Sequence, residues 1–550
     1  MSQRVIETLI RDQLTVICSE IGLSDVPVIL EIPRQKGFGE LSCNIAMIGA
    51  KEVGKNPRDL AEELAKRFPV SEDGVSQVEI AGPGFLNFRL SDGYLHRMLT
   101  SILEDPSGFG SIEDNAGQVW HFEFVSANPT GPLNIVSARA ASIGDSLVQI
   151  FRKRGYKTWS EFYVNDGGGQ VNKLGASVLA RVEQLKTGSE EAEIPEGGYH
   201  GGYVLDIAKK WLDHHPSRIG TSDDEAAFVM VGKWAADIIR IEQEKALSEF
   251  RVSFDRWFFE SELYSDKRVE AAFTELTDKK LTYEKDGAVY FRASEYGDSE
   301  DRVVKTSRGT FTYVVPDIAY HLDKYRRPSD CAVTLLGPDH HGHIAQLKSA
   351  LLALGIPGDY LKPIIVQQIN LKRGGQEVKM SKRAGVGITM HELIEEVGVD
   401  AARFFFLRRR ITSPLDFDID LARSHSDENP VYYVQYAHAR IMSIFRQPGV
   451  IEPDTGTELS CLTAQEELDL LRAIARFPWT LEAVVNGIDP QPITVYLAEL
   501  AKAFHYFYSK QRVILEDRRL MQARLALCRG TASIIAEGLK LIGVSAPERM

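Results

Sequence analysis

The chain is poor in cysteine. Its five cysteines stand at positions 18, 43, 331, 461 and 528, and none forms a CxxC pair. Thiols so dispersed offer no zinc ligand set and no disulfide framework, and they suit a reducing compartment. Long apolar runs are missing as well: nothing approaches the roughly 18 residues that a membrane span needs. The opening MSQRVIETLIRDQL reads as an amphipathic helix without the apolar core of a secretory signal. An excess of positive charge is also lacking. Lys plus Arg is 64 against 77 Asp plus Glu, a net charge of −13. That balance argues against a general polybasic binder of nucleic acid or membrane and leaves room for local basic surfaces. What remains is an ordinary globular mixture, 44% hydrophobic and 26% charged over 550 residues, in a chain of roughly three or four domains. The expected location is the cytoplasm, with no membrane partner.

Three regions differ in pattern. Residues 1–110 read as an α+β module: a helical opening, VILEI at Val28–Ile32, a helical stretch interrupted at Asn56-Pro57, and two short strands around Gly82-Pro83-Gly84. A linker rich in Gly, Pro, Ser and Asp follows. The second region, 118–424, begins with the strand HFEFVS at 121–126, then a loop, a helix over Ile135–Arg152 and a strand at Thr158–Val164. That order opens a doubly wound α/β domain, whose ligands sit beyond the strand ends. Residues 180–260 read as mostly helical and polar, an insertion into that domain. Strands are expected again at Ala288–Phe291, Thr310–Val315, Cys331–Leu336 and Ile364–Gln368, and one helix at Leu393–Arg409. The third region, 425–550, shows apolar residues at helical spacing over Val431–Arg446, Ala464–Ala483, Ile493–Val513 and Arg519–Ile542, the pattern of an all-α bundle. It carries 13 basic and 15 acidic residues, the least repulsive part of the chain toward a polyanion.

The strongest short motif is Lys379-Met380-Ser381-Lys382-Arg383, late in the α/β region. An arbitrary lysine-rich pentamer is usually a solvated turn. Two ammonium groups and a hydroxyl in one loop also suit a polyphosphate, because they can neutralise charge growing on a leaving pyrophosphate. At the end of the first core strand lie Glu123 and Asn128; further on are Tyr313 and Asp317. Two carboxylates, an amide and a phenol can enclose a guanidinium, whose five donors need acceptors in fixed directions. Singly, each residue has a plainer reading: a strand-end acid facing water, or a core aromatic.

KMSKR is a hallmark of class I aminoacyl-tRNA synthetases, and the chain resembles the arginyl-tRNA synthetase family over nearly its whole length. The segments that carry the resemblance are GFGELSCNIA, KNPRDLAEEL, VEIAGPGFLNFRL, FEFVSANPTGPL, YVNDGGGQ, GTFTYVVPDIAYHLDKY, GPDHHGH, VKMSKRAG, VGVDAARFFFL, SPLDFDIDLA, NPVYYVQYAHARI and the terminal APERM. The resemblance implies a Rossmann-type catalytic domain, an N-terminal module touching the outer corner of tRNA, and an anticodon-binding bundle. It implies ligation of L-arginine to tRNA(Arg) through an arginyl-adenylate. ATP is then a substrate accompanied by Mg²⁺, with no organic cofactor and no structural zinc. By resemblance, arginine is held by Glu123, Asn128, Tyr313, Asp317, Asn165 and Asp166. ATP is held by Asp339, His340, His341, Lys379, Met380, Ser381 and Lys382. Tyr436 and Arg440 in the bundle, and Phe38 and Asn44 in the N-terminal module, are the expected tRNA contacts. A monomer is the default, because no dimer seam stands out.

One hallmark is altered. The family's HxGH should follow Leu133, where this chain has Asn134-Ile135-Val136-Ser137. Asn134 and Ser137 can donate hydrogen bonds to ATP but cannot carry charge. His340-His341-Gly342-His343 matches H-x-G-H in letters, yet lies where the family has its own Asp-His-His-Gly stretch. The altered hallmark leaves a second hypothesis, a non-catalytic tRNA-binding or regulatory paralogue. The intact Lys379–Arg383 and the acidic pocket speak against it. Phe504 and Phe507 are expected in the bundle core. Arg152–Arg154 and Arg408–Arg410 are basic runs suited either to phosphates or to a solvated helix face.

Overall fold

A computed structural model describes residues 4–23, 25–33, 37–112, 115–215, 225–338, 341–378 and 388–550. The expected ATP contacts Asp339 and His340, the side chain of His341, and Lys379, Met380, Ser381 and Lys382 lie outside the described residues.

The N-terminal module is a four-stranded antiparallel sheet, ordered Leu30–Glu31, Leu41–Cys43, Phe85–Leu90, Val75–Ala81. Helices Arg4–Glu20, Pro57–Arg67 and Asp92–Glu104 accompany it. Asn56 accepts a hydrogen bond from the Arg58 N–H and Pro57 occupies the first helical turn, so the Asn-Pro pair starts that helix as its chemistry favours.

The central domain is built on five parallel strands: β1 Val119–Glu123, β2 Lys157–Val164, β3 Arg256–Phe259, β4 Cys331–Leu336 and β5 Leu361–Ile365. Their order is β5-β4-β1-β2-β3. The chain enters at the middle strand, winds outward to β3, then returns to build β4 and β5 on the other side. The reversal between β1 and β4 is the switch point at which such sheets bind ligands. Helix α1, Ile135–Lys153, makes the first crossover. Gly144 allows its close approach, since a Cβ there would stand 2.1 Å from the Phe124 ring. The insertion between β2 and β3 is helical, ending in α2, Glu225–Glu249, and has an apolar cluster of its own around Trp211 and Ile239. Before β4 come a three-stranded antiparallel sheet and α3, Val314–Arg326.

Three elements differ from the sequence expectation. The strand expected at Thr310–Val315 is an isolated bridge at Phe311 followed by the start of α3. Its β-branched composition is overridden by Pro316 and Asp317, which suit a first helical turn. The helix expected at Leu393–Arg409 is two, Met390–Val397 and Val399–Leu407, divided by Gly398 at φ 77°. Ala464–Ala483 likewise divides into Gln465–Ala475 and Phe477–Gly487, with Pro478 opening the second.

The bundle adds α4 Pro430–Phe445, α5 Gln491–Lys510 and α6 Arg518–Leu541. Phe504 and Phe507 are fully buried in its core. Arg403 joins the bundle to the catalytic domain. It is fully buried, ion-paired to Asp145 of α1, and donates to the Ile542 carbonyl at 2.8 Å and the Phe250 carbonyl at 3.0 Å. The basic run at the end of α1 is spent the same way: Lys153 pairs with Glu537 at 2.8 Å and Arg154 with Glu482 at 2.6 Å.

Candidate active site

Glu123 ends β1 with only 6% of its surface exposed. Its Oε2 pairs with Lys324 and accepts from Thr334 Oγ1 at 3.3 Å, while Oε1 accepts from Ser126 Oγ at 2.9 Å. The next turn is strained, with Val125 at φ 70° and Ser126 at φ 42°. A β-branched residue in the left-handed region is costly, and such strain concentrates at functional sites. The loop beyond is pinned by the insertion. Gln243 donates to the carbonyls of Asn128 (3.1 Å) and Gly131 (2.8 Å), and the Tyr203 hydroxyl donates to Thr130 O at 2.7 Å. The Asn128 amide donates to Gln170 at 2.7 Å.

Opposite stands the start of α3. Tyr313 precedes the helix with 68% of its surface exposed, and Asp317 lies in the first turn. His343 Nε2 is 2.8 Å from Asp317 Oδ2, and that hydrogen bond raises His343 above the usual imidazole range. The rings of Tyr313 and His343 are 5.7 Å apart. Along the loop after β2, Asp166 accepts from Ser261 N at 2.9 Å and Ser261 Oγ at 2.6 Å. Neighbouring Glu260 accepts from the Tyr163 hydroxyl at 2.9 Å. Burial pushes the Glu260 carboxyl up, and the negative charges of Asp317 and Asp166 add to this. A cavity of about 430 Å³ opens here, lined by Asp166, Gly167, Gly168, Lys233, Glu260 and Tyr264 among others. Asn165 lies half-buried in the same loop. Asp237, Lys233 and Arg240 also line this cavity, so acids and bases are mixed along its wall, and Asp317 lies close enough to act on the Glu260 carboxyl.

The start of α1 forms the other flank. Asn134 Oδ1 accepts from Val136 N and Ser137 N, both at 3.0 Å, and from Ser137 Oγ at 3.3 Å. Asn134 is thus a helix cap, with its acceptor committed. Its backbone bridges to Thr389, and Met390 N donates to Leu133 O at 2.8 Å. The chain leaving the Lys379–Arg383 segment therefore returns directly beside Asn134. Among the described residues no group of three or more His, Cys, Asp or Glu is placed to hold a metal ion.

On the bundle, Tyr432 and Tyr436 of α4 lie parallel with centroids 6.0 Å apart. The Arg440 guanidinium sits 4.9 Å from the Tyr436 ring and 5.1 Å from that of Tyr508. Among the described residues no carboxylate pairs with Arg440. Phe38 and Asn44 are half-buried, and Asn44 makes no side-chain capping bond to the short helix that follows it. A cleft of about 690 Å³ runs between the two terminal regions, lined by Gly37 and Arg89 on one side and Arg472, Arg476, Lys502 and Tyr506 on the other.

Residues 100–406 match the family described as tRNA synthetases class I (R), catalytic domain. Residues 4–90 match the arginyl tRNA synthetase N terminal domain, and 434–550 the DALR anticodon binding domain. The chain belongs to the arginyl-tRNA synthetase family. It is 44% identical to an arginine–tRNA ligase of Shouchella clausii, over 96% of this chain and 95% of that one. It is 41% identical to arginine–tRNA ligase 1 of Halalkalibacterium halodurans, over 98% of each. Thermus thermophilus arginyl-tRNA synthetase has the same fold, with a TM-score of 0.78 at 20% identity, covering 99% of this chain and all of the other. Two charged residues, Glu260 in the cavity wall and Lys324 behind Glu123, escaped the reading of the sequence. Glu260 follows β3 with no local signal. Lys324 was legible in principle, since 313, 317, 320 and 324 form one stripe of a helix.

Proposed function

We propose that the chain joins L-arginine to tRNA(Arg) in two ATP-dependent steps. The arginine carboxylate attacks the α-phosphate of ATP, forming arginyl-adenylate and releasing pyrophosphate. The 2′-hydroxyl of the terminal adenosine then attacks the adenylate's carbonyl carbon, forming the ester and releasing AMP. Positioning and electrostatics supply the acceleration, and no covalent enzyme intermediate is needed. The observation that carries this reading is the buried Glu123 at the end of β1, held against Thr334 of β4 at the switch point, with Asp317, Asp166 and Glu260 close together beyond the strand ends.

Asp317, Glu123, Tyr313 and Asn128 bind arginine, with Asn165 and Asp166 along the same rim. Lys379 and Lys382 balance the charge that develops on pyrophosphate, assisted by Ser381; Met380, Asp339, His340 and His341 complete the nucleotide site. Asn134 Nδ2 and Ser137 act as neutral donors. Mg²⁺ enters with ATP as part of the substrate. Tyr436 and Arg440 offer a stacking face to single-stranded bases, in keeping with how proteins read unpaired RNA. Phe38 and Asn44 meet the outer part of the same tRNA. The chain acts as a monomer in the cytoplasm, and among the described residues no helix is long and apolar enough to cross a membrane.

Charging of total tRNA with labelled arginine, with lysine as control, tests the proposal. Arginine-specific charging is the expected result. Folded protein that binds tRNA but charges nothing would leave the non-catalytic paralogue as the better reading.

A further inference from the structure

Lys324 is wholly buried, its side chain 0% exposed, behind Glu123. Its ammonium pairs with Glu123 Oε2, lies 3.4 Å from Thr334 Oγ1 and stands 4.3 Å from the centroid of the Tyr320 ring. Oε2 is thereby taken by the ammonium, while Oε1 accepts one hydrogen bond, from Ser126 Oγ at 2.9 Å, and keeps a second acceptor position for a substrate donor. Glu161 on β2, in register with Glu123, is clamped from the same helix. Tyr320 donates to it at 2.7 Å, and Arg327 donates at 2.6 and 3.0 Å. Tyr313, Asp317, Tyr320 and Lys324 lie on one stripe of α3, so these clamps fix the phase of the helix that carries Asp317 toward the crevice.

Stability alone does not account for such a pair. A buried ion pair is generally no better for folding than two apolar side chains of the same volume. What it does provide is a carboxylate held in one orientation at the end of β1. We propose that Lys324 is a positioning residue for arginine, acting through Glu123 and through the placement of Asp317. This rests on the reading of Glu123 as a pocket residue.

The test compares Glu123→Gln, Lys324→Met and the double variant in steady-state charging, with the KM for ATP as internal control. Each single variant is expected to raise the arginine KM by about tenfold or more, the order expected for a hydrogen bond to a charged group, while the ATP KM stays within about twofold. Residues in one network give non-additive effects, so the double variant should be no worse than the more impaired single one. It holds no unpaired buried charge, so it should also regain the thermal stability that Lys324→Met loses.

Rescue by the conservative variant adds a readout that simple destabilisation would not move. Lys324→Arg keeps a cation and its hydrogen bond at Glu123 Oε2, so it should recover most of the arginine KM that Lys324→Met loses. If Glu123→Gln leaves the arginine KM unchanged, the pocket reading falls and the proposal with it. If Glu123→Gln raises it while Lys324→Met does not, or the two effects add, the proposal is overturned and the pocket reading stands. Should Lys324→Met fail to fold, the double variant decides: a wild-type arginine KM overturns the proposal.

Discussion

The two flanks of the crevice are closed in different ways. Where β1 and β2 meet α3 the side chains are charged and paired: the buried Glu123 with Lys324, the buried Glu161 with Arg327, and the half-exposed Asp317 with His343. At the start of α1 the side chains are neutral, and Asn134 spends its acceptor on the helix it begins. A guanidinium substrate brings its own positive charge and needs fixed acceptors, which the first flank provides. ATP brings negative charge, and Asn134 and Ser137 at the start of α1 carry none with which to meet it. The proposed source of positive charge for the nucleotide is therefore the Lys379–Arg383 motif, six residues before Thr389, whose backbone bridges to Asn134.

The largest expected effect lies on the nucleotide flank. Replacing Lys382 by Ala should lower kcat by about a hundredfold or more, the usual cost of losing a group that acts on transition-state charge, with the arginine KM little changed. A loss of under tenfold would show that other cations meet the phosphates, and the contrast between the flanks would dissolve.

Next comes the amino-acid flank. Asp317→Asn should raise the arginine KM by about ten- to a hundredfold, since charge-assisted hydrogen bonds contribute about 1.5–3 kcal/mol, and leave the ATP KM alone. Equal changes in both constants would mean that Asp317 supports the whole site and does not read the substrate.

Smaller effects sharpen the role of Asn134. Asn134→Ala should cost about 1 kcal/mol of stability through the lost cap, whereas Asn134→Asp should keep the cap, because Asp caps about as well as Asn. The Asp variant should nevertheless raise the ATP KM, since it puts a carboxylate beside the triphosphate. Thermal melts and ATP titrations of the two variants separate the cap from the ligand contact.

The smallest concerns acid stability. Burial alone would raise the Glu161 carboxyl, but hydrogen bonds from His121 and Arg327 overcome it and hold the group well below the carboxylate range. A depressed folded-state value contributes stability that is complete above the unfolded value of about 4.3 and is lost as pH falls through the folded one. Denaturant melts from pH 7 down to 3 should therefore show a decline that Glu161→Gln flattens. An unchanged slope in that variant would place the acid sensitivity elsewhere.

The doubly wound architecture was readable because its signals are local. HFEFVS and the Cys331–Leu336 run are apolar and strand-like, Ile135–Lys153 has helical spacing behind a cap, and the bundle repeats at helical period. What the sequence concealed depends on distant contacts. Tyr313 and Val314 look like strand residues, yet they begin a helix whose inner stripe is held by acids on β1 and β2. The splits at Gly398 and Pro478 were written in the residues themselves, but apolar periodicity runs straight through both. Of the crevice, the acids at the strand ends were legible as residues. Their pairings with Lys324, Ser261 and His343 were not, because contacts across 26 to 201 positions of sequence leave no local trace. Only the folded chain shows that Asn134 caps α1 while lying beside the root of the lysine segment.

The central claim is that charge for ATP comes from the lysine segment and that the start of α1 contributes neutral support. ATP–pyrophosphate exchange by wild type and Asn134→Ala, at saturating arginine and tRNA and corrected for folded fraction, tests it most directly. The account predicts exchange by the wild type and a loss of no more than about tenfold in the variant, as befits one neutral hydrogen bond. A loss of about a hundredfold or more, the mark of a transition-state donor, would contradict it.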